Sequence, residues 1–238
     1  SGAASADGVI CLAIEEPELF LHPNGQRKMM NVLKEIALSD QVIMCSHSSF
    51  FVDMFQYPKI VIVKRDGYGP SYSVQYTGNI FEDEEQKKSY RHLSFFDISR
   101  SELFFARKVI LVEGPTEKQI IPFWAEKLSV SDNKFDFSAN NICVTDCGGK
   151  TNLSVFMKVC NNLKIPYIVI HDIDPIDFAE DKANKTDNEK SRLRMFKENN
   201  KIESLRTEDF GYIIKINPDL ENVIGVSSSQ VEKHGKVS

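Results

Sequence analysis

Short apolar runs alternate along the chain with amphipathic segments of helical periodicity. Each run stops abruptly at polar residues, which is typical of strands buried inside a parallel sheet. In the second half of the chain, the predicted strands are Lys108–Val112, Asn141–Thr145, Pro166–Asp172 and Tyr212–Ile216, and the predicted helices are Thr116–Leu128, Thr151–Leu163 and a polar insert over Asn188–Asn200. This order indicates parallel β-α-β units with right-handed crossovers, and therefore an α/β fold with a mostly parallel sheet flanked by helices.

The first third of the chain has a similar but shorter pattern. It predicts a strand over Val9–Ile14, a helix that begins near Pro23, a second strand over Gln41–Cys45, and a hairpin made of Lys59–Lys64 and Tyr72–Tyr76. We expect residues 1–80 to form one domain, residues 81–106 a helical linker, and residues 107–238 a second domain.

Paired carboxylates follow three of the predicted strands. They are Glu113 with Glu117, Asp172 with Asp174, and Asp219 with Glu221. Because sites in open α/β sheets gather at the carboxyl ends of the strands, we expect these side chains to converge. Several carboxylates that face each other cannot all stay ionised without cations, and the natural partner is a hard divalent ion, Mg²⁺ or Mn²⁺. The alternative is that these are core strands with ordinary polar ends.

Composition limits the class of protein. The apolar fraction is 42% and the formal net charge is −5, so the chain is not a generally basic nucleic-acid binder. No apolar run approaches the roughly 20 residues needed to span a membrane, and the first residues lack a signal-peptide pattern. The five cysteines show neither disulfide nor zinc spacing, and we expect Cys11, Cys143 and Cys160 to be buried thiols. These features predict a cytoplasmic protein without a membrane partner.

A basic run between Lys182 and Arg206 interrupts the otherwise mixed charge pattern. A solvated helix face and a phosphate-binding surface both explain such a run, and the sequence leaves the choice open.

The turn Glu113-Gly114 and the later Asp172-Ile173-Asp174 together resemble the Toprim domain of topoisomerases, primases and several nucleases. In the first third, Glu15-Glu16 after a strand and Ser46-His47 after the next one resemble the C-terminal part of an ABC-type ATPase core. That resemblance implies that Glu15 helps to hold the Mg²⁺ of a nucleotide, that Glu16 polarises the attacking water and that His47 senses the γ-phosphate. The segment with His22 would then lie at a dimer interface.

The chain also contains Gly148-Gly149-Lys150-Thr151, which looks like the end of a phosphate-binding loop. Val144 stands where the first glycine of such a loop belongs, and the motif follows the Glu15-Glu16 strand instead of preceding it. We therefore interpret it as a strand-to-helix turn of the Toprim-like part. Lys150 would there add positive charge near a substrate phosphate.

ATPase signatures followed by a Toprim-like domain are similar to the OLD (overcoming lysogenization defect) family of ATPase–nuclease proteins, which includes phage-defence systems. The resemblance implies a metal-dependent endonuclease that cuts or nicks DNA, with ATP bound only in an intact ATPase assembly and a homodimer formed through that part. It covers only the rear part of such a protein, so we expect the chain to be a piece of a longer one. A late catalytic lysine of the family would have to be Lys233 or Lys236.

Within this hypothesis, Glu113 and Asp172 bind one metal with Asp174 beside it. Glu117 joins Asp219 or Glu221 at a second metal about 4 Å away. The competing hypothesis is a non-catalytic DNA-binding or dimerisation half of an SMC-like ATPase. A binding module of that kind has no need of acidic pairs at three strand ends, so the third pair favours the nuclease.

Overall fold

The computed structural model describes residues 10–65, 67–96 and 98–225, which divide into two compact units between Met54 and Phe55. The first unit contains strand β1 (Cys11–Glu15), helix α1 (Pro23–Ile36) and strand β2 (Gln41–Cys45). The two strands are parallel, with Glu15 opposite Cys45 at their carboxyl ends. Helix α1 begins at Pro23 as predicted, and His22 caps it by accepting a hydrogen bond from the Asn24 amide.

The second unit contains the other strands and α-helices. They are β3 (Val61–Arg65), β4 (Ser71–Gln75), α2 (Glu84–Phe96), β5 (Lys108–Val112), α3 (Pro115–Ser129), β6 (Ile142–Asp146), α4 (Lys150–Asn162), β7 (Tyr167–Asp172), α5 (Asp187–Leu205), β8 (Gly211–Ile216) and α6 (Leu220–Val223). A 3₁₀ segment, Ile98–Phe104, precedes β5. Strands β3 and β4 form the predicted antiparallel hairpin. The domain limits expected at residues 80 and 106 stay a prediction.

The main sheet has four strands in the order β6-β5-β7-β8, and every neighbouring pair is parallel. Its crossovers are made by α3, α4 and α5 in turn, which confirms the α/β class. Because all four strands run in the same direction, their carboxyl ends lie at one edge of the sheet. We call this the acidic edge, because Glu113, Asp146, Asp172 and Asp219 lie at the ends of the strands there.

Helix α4 forms the centre of the core of this unit. It contacts β5, β7, α2 and α5, and its side chains Leu153, Phe156 and Val159 are almost fully buried. The Phe156 ring meets Tyr90 of α2 edge-on, with the ring centres 5.4 Å apart. Close packing of this helix against the apolar strands makes the sheet rigid, and so fixes the positions of the strand ends.

The cysteine prediction is only partly right. Cys160 is buried in α4 and Cys143 is half-buried in β6, but Cys11 is exposed. In the described part of the chain β1 pairs only with β2, so the apolar neighbours of Cys11 in sequence do not enclose it. Among the described residues, no helix combines the length and the apolar character that crossing a membrane requires.

Candidate active site

The acidic edge is joined by hydrogen bonds between neighbouring strand ends. Glu113 follows β5, and its Oε1 accepts a 2.9 Å hydrogen bond from the backbone N–H of Asp172 at the end of β7. Asp172 Oδ1 in turn accepts a 3.1 Å hydrogen bond from the backbone N–H of Leu220, which begins α6 after β8. The predicted convergence of Glu113 and Asp172 is therefore present in the structure.

The other predicted acids surround this pair. Glu117 lies in the first turn of α3, where its carboxylate accepts a hydrogen bond from the Gly114 N–H in a capping arrangement. Asp174 lies just beyond β7 with a backbone φ of 50°, in the left-handed region. Both are close enough for their negative charges to act on Asp172.

Crowding and burial raise the pKa values of the two central carboxyl groups. Burial is the largest cause for Asp172, followed by the charges of Glu117, Asp174, Glu221 and Asp219, and its pKa rises to about 7. Burial also raises the pKa of Glu113 to about 7, although the hydrogen bond from Asp172 and the charge of Lys150 oppose the shift. The electrostatics thus indicate that both groups lie at the centre of the acidic edge.

The donor chemistry of this edge fits a hard divalent cation. All the candidate ligands are carboxylate oxygens, which Mg²⁺ and Mn²⁺ prefer. Burial, and after it the charges of neighbouring carboxylates, raise the pKa values of Glu113 and Asp172, and a bound cation would favour their ionised forms. Across residues 10–65, 67–96 and 98–225, however, no three His, Cys, Asp or Glu side chains are already arranged to hold a metal ion. The predicted ligands are therefore gathered at one edge but do not form a finished coordination shell.

The third acidic pair is at the predicted edge, but Asp219 has another partner. Its carboxylate caps α6 by accepting hydrogen bonds from the backbone and side-chain amides of Asn222, at 2.8 and 2.7 Å. Glu221 lies in the first turn of α6. The structure therefore places both residues beside Asp172, and gives Asp219 a local structural role as well.

Lys150 is the first residue of α4, and its side chain points to the end of β7. Its Nζ donates hydrogen bonds to Asp172 O at 2.5 Å and to Asp174 Oδ2 at 2.8 Å, and its side chain is 1% exposed. The strand-to-helix turn predicted before it is present. Gly148 and Gly149 have φ values of 69° and 115°, which favour glycine. A role for Lys150 at the scissile phosphate stays a prediction, and Lys233 and Lys236 lie outside the described residues.

A buried ion pair beside this turn was missed by the sequence reasoning. Arg100 donates to Asp146 twice, from Nη2 to Oδ2 at 2.9 Å and from Nε to the backbone O at 2.7 Å. Asp146 Oδ1 also accepts a hydrogen bond from the Gly148 N–H. Asp146 ends an apolar strand just as Asp172 does, so its position was a usable signal, whereas nothing in the sequence singles out Arg100.

Two further residues hold the backbone at the end of β7. His171 Nδ1 donates to the Asp172 carbonyl at 2.9 Å, and Asn199 Nδ2 of α5 donates to the Ile173 carbonyl at 2.8 Å. Burial lowers the pKa of His171. The sequence carries no signal for Asn199, because it lies in a polar helix where most side chains face solvent.

In the first unit, the structure brings together two of the residues predicted for nucleotide chemistry. His47 Nε2 lies 3.9 Å from Glu16 Oε1, and Glu15 is the last residue of β1. Glu18 holds the Ser46-His47 turn by accepting hydrogen bonds from the Ser46 hydroxyl and the His47 N–H. Although partial burial alone would raise the pKa of Glu18, these and other hydrogen bonds lower it. Glu18 is thus a positioning residue that motif reasoning left without a role.

Comparisons with known proteins agree with both parts of this structure. Residues 104–174 match the family model "Overcoming lysogenization defect protein-like, TOPRIM domain", and residues 4–52 match an AAA ATPase domain. The OLD nuclease of Thermus scotoductus is 30% identical over 233 residues, which are 94% of this chain and 42% of that protein.

Two further relatives cover a smaller share of the chain. The Old nuclease of Escherichia phage P2 is 26% identical over 162 residues, 68% of this chain and 27% of that protein. The endonuclease GajA of Bacillus cereus is 26% identical over 187 residues, 68% of this chain and 26% of that protein. The chain thus spans less than half the length of the curated relatives it matches. With an ATPase segment and a Toprim domain in the order predicted from its motifs, the chain belongs to the OLD family.

Proposed function

We propose that this chain carries the nuclease site of a metal-dependent DNA endonuclease, and that the acidic edge hydrolyses or nicks phosphodiester bonds. The observation that carries the proposal is the Glu113–Asp172 hydrogen bond, which holds the predicted ligands of two neighbouring strands together. The relatives named OLD nuclease and endonuclease GajA support the reaction class.

In this proposal Glu113 and Asp172 would hold one Mg²⁺ or Mn²⁺ ion with Asp174 beside them, and Glu117 would hold a second with Asp219 or Glu221. When bound, such ions activate water and neutralise charge on the leaving oxygen. Water attacks the phosphorus and gives up a proton to the solvent as the bond to the 3′-oxygen breaks. That oxygen takes up a proton from the solvent and leaves as a hydroxyl. Lys150 keeps Asp174 in place, through the contact that also neutralises part of the acidic charge.

A plasmid-nicking assay tests this proposal directly. Supercoiled DNA should be nicked in Mg²⁺ or Mn²⁺ and left intact in EDTA. Glu113→Ala and Asp172→Ala should abolish nicking while the protein stays folded by circular dichroism. Asp181→Ala removes an exposed carboxylate from the loop before α5 and should change little.

Two outcomes would contradict the nuclease assignment. Nicking by the Glu113 and Asp172 variants at the parent rate in Mn²⁺ would show that the acidic edge is not the catalytic site. Tight DNA binding by the parent without nicking in either metal would favour the SMC-like, non-catalytic alternative.

We further propose that ATP is used only by an intact ATPase assembly, in which the first unit takes part in a homodimer. Glu15, Glu16 and His47 supply the carboxylates and the imidazole for that site, while a phosphate-binding loop is absent from these 238 residues. Calorimetry with MgATP should accordingly detect no micromolar binding by this chain, and such binding would overturn the proposal. The whole protein would act on foreign DNA in the cytoplasm, in phage defence.

A further inference from the structure

We propose that helix α5 binds the sugar–phosphate backbone of the DNA next to the bond that is cut, with Arg192 as the phosphate-binding residue closest to the acidic edge. This inference rests on the nuclease function proposed above and assigns a substrate-binding surface to it. It concerns the second unit alone, to which α5 and the acidic edge both belong.

The surface begins at a cavity that adjoins the acidic edge. The cavity has a volume of about 370 Å³, and its walls include Asp174 and Asp219 on the side of the strand ends and Ser191, Arg192 and Met195 on the side of α5. Arg192 is the only basic residue among the described residues that line it. A group bound in this cavity would touch candidate metal ligands on one side and the Arg192 guanidinium on the other. This arrangement suits a phosphodiester, because metal ions and arginine can both bind its negatively charged oxygens.

Arg192 is oriented by contacts that a phosphate can complement or replace. Its Nη2 donates to Pro175 O at 3.2 Å, and its Nη1 lies 2.9 Å from Asp177 Oδ1. Its guanidinium carbon lies 5.7 Å from the centre of the Phe178 ring. The side chains of Arg192 and Asp177 are 43% and 77% exposed, and exposed pairs contribute about 0–1 kcal/mol. Exchange of Asp177 for a phosphate therefore costs little, and the planar fork of arginine binds phosphate through two parallel hydrogen bonds.

Basic residues continue along an adjacent face of α5. Lys190, Arg194, Lys197 and Lys201 recur every three or four residues and line a groove of about 560 Å³. Glu82 and Glu198 neutralise the Lys201 end. Among the described residues, Lys190 pairs with the exposed Asp187, and Lys197 lies 3.8 Å from Glu180. The 19 residues of α5 span about 28 Å, so this face is long enough to follow several phosphates of a backbone that leaves the cavity. Helix α5 as a whole contains five basic and four acidic residues, a net charge of +1 in a chain whose net charge is −5.

The test measures DNA binding separately from cleavage. Binding of a fluorescent duplex is followed by anisotropy in EDTA at several NaCl concentrations, with the whole 238-residue chain. Arg192→Ala should weaken binding roughly tenfold or more, the size of one charged hydrogen bond. A plot of the logarithm of the DNA-binding constant against the logarithm of the salt concentration has a negative slope. Arg192→Ala should make that slope less steep by about 0.9, the contribution of one phosphate contact. Arg192→Lys, which keeps the charge and loses the fork, should fall between parent and Arg192→Ala.

The matched control is Arg107→Ala. Arg107 is an exposed arginine that directly precedes β5, so it lies at the opposite edge of the sheet, and its loss should leave affinity and salt slope unchanged. Urea unfolding should confirm that all variants are folded.

The failure of this inference is distinguishable from that of the proposed function. If the parent nicks plasmid and Arg192→Ala matches Arg107→Ala in affinity and slope, α5 does not bind the backbone and the nuclease assignment stands. If the parent neither nicks nor binds DNA, the nuclease function fails, and the substrate surface fails with it.

Discussion

Lys150 Nζ and Asp174 Oδ2 lie 2.8 Å apart, although the first residue begins α4 and the second follows β7. The same ammonium group also donates to the Asp172 carbonyl. The positive charge of the Gly148-Gly149-Lys150 turn is therefore directed into the acidic edge. This contact ties together two crossovers of the sheet at the point where the candidate metal ligands meet.

Replacing Lys150 by Met should destabilise the protein by about 1–3 kcal/mol, because the partners of a buried charged donor are left unsatisfied. Asp174→Asn should cost less in the Lys150→Met background than in the parent, since the two residues are coupled. Urea unfolding of the parent, the two single variants and the double variant measures both effects. Lys88→Met is the control, because Lys88 is exposed on α2, and it should change stability by no more than about 0.5 kcal/mol. If Lys150→Met and Lys88→Met lower the free energy of unfolding equally, the contacts of Lys150 do not stabilise the acidic edge.

Removing Asp146 should be more damaging than removing a surface acid. The Arg100 and Asp146 side chains are 8% and 11% exposed, so Asp146→Ala removes a buried hydrogen bond between two charged groups, at a cost of about 1.5–3 kcal/mol. Glu203→Gln, which weakens the half-exposed pair with Lys215, should cost no more than about 1 kcal/mol. Denaturant midpoints compare the two variants. A loss below about 1 kcal/mol for Asp146→Ala would show that the Arg100–Asp146 pair contributes no more to stability than an exposed ion pair does.

The stability of the metal-free protein should depend on Glu113 in a definite pH window. Its folded pKa is raised to about 7, whereas in the unfolded chain it titrates near pH 4, at about the usual value. Below pH 4 both states are protonated and the group has no effect. Between about pH 4 and pH 7, Glu113 is protonated in the folded state and ionised in the unfolded state. The free energy of unfolding therefore falls as pH rises through this window.

Glu113→Gln removes this penalty, because the amide stays neutral at every pH. In EDTA, the stability of this variant relative to the parent should increase from about pH 5 to pH 7 and then level off, by up to about 1.4 kcal/mol per pH unit. Urea unfolding at a series of pH values measures the difference. A stability difference that does not change over this range would show that burial does not raise the pKa of Glu113 as described.

Thiol labelling should separate the cysteines by burial. Burial raises the pKa of Cys160 to about 12 and also raises that of Cys147, so neither forms a thiolate near neutral pH. Cys11 and Cys45 are exposed and should react quickly with a disulfide reagent, while Cys147 and Cys160 should react only after unfolding. Mass spectrometry of labelled peptides identifies the sites. Fast labelling of Cys160 in the native protein would contradict the packing of α4.

The elements of the second unit followed from local patterns. Apolar runs that stop at Glu113 and Asp172 predicted β5 and β7, and helical spacing between the runs predicted α3 and α4 within one or two residues of their observed limits. Parallel direction also followed, since each crossover contains a helix. From this alone the carboxyl ends of the strands had to share an edge, which is why the convergence of Glu113 and Asp172 was predictable.

The partners of each side chain were not predictable in the same way. The interaction of Lys150 with Asp174, the capping of α6 by Asp219 and the Arg100–Asp146 pair all depend on distances between segments far apart in the sequence. Asn199 reaches the end of β7 only because α5 packs back over the sheet. No local pattern encodes such contacts.

The sequence by itself determined the class of fold, the family motifs and the residue types at the acidic edge, because hydrophobic periodicity and strand direction are local properties of the chain. Only the tertiary structure decided which of those residues are bonded to one another, which are buried enough for their pKa values to shift, and that Arg192 of the polar insert borders the same cavity as Asp174. Burial and hydrogen bonding arise from packing between distant segments, and the spacing of residues along one chain does not specify that packing.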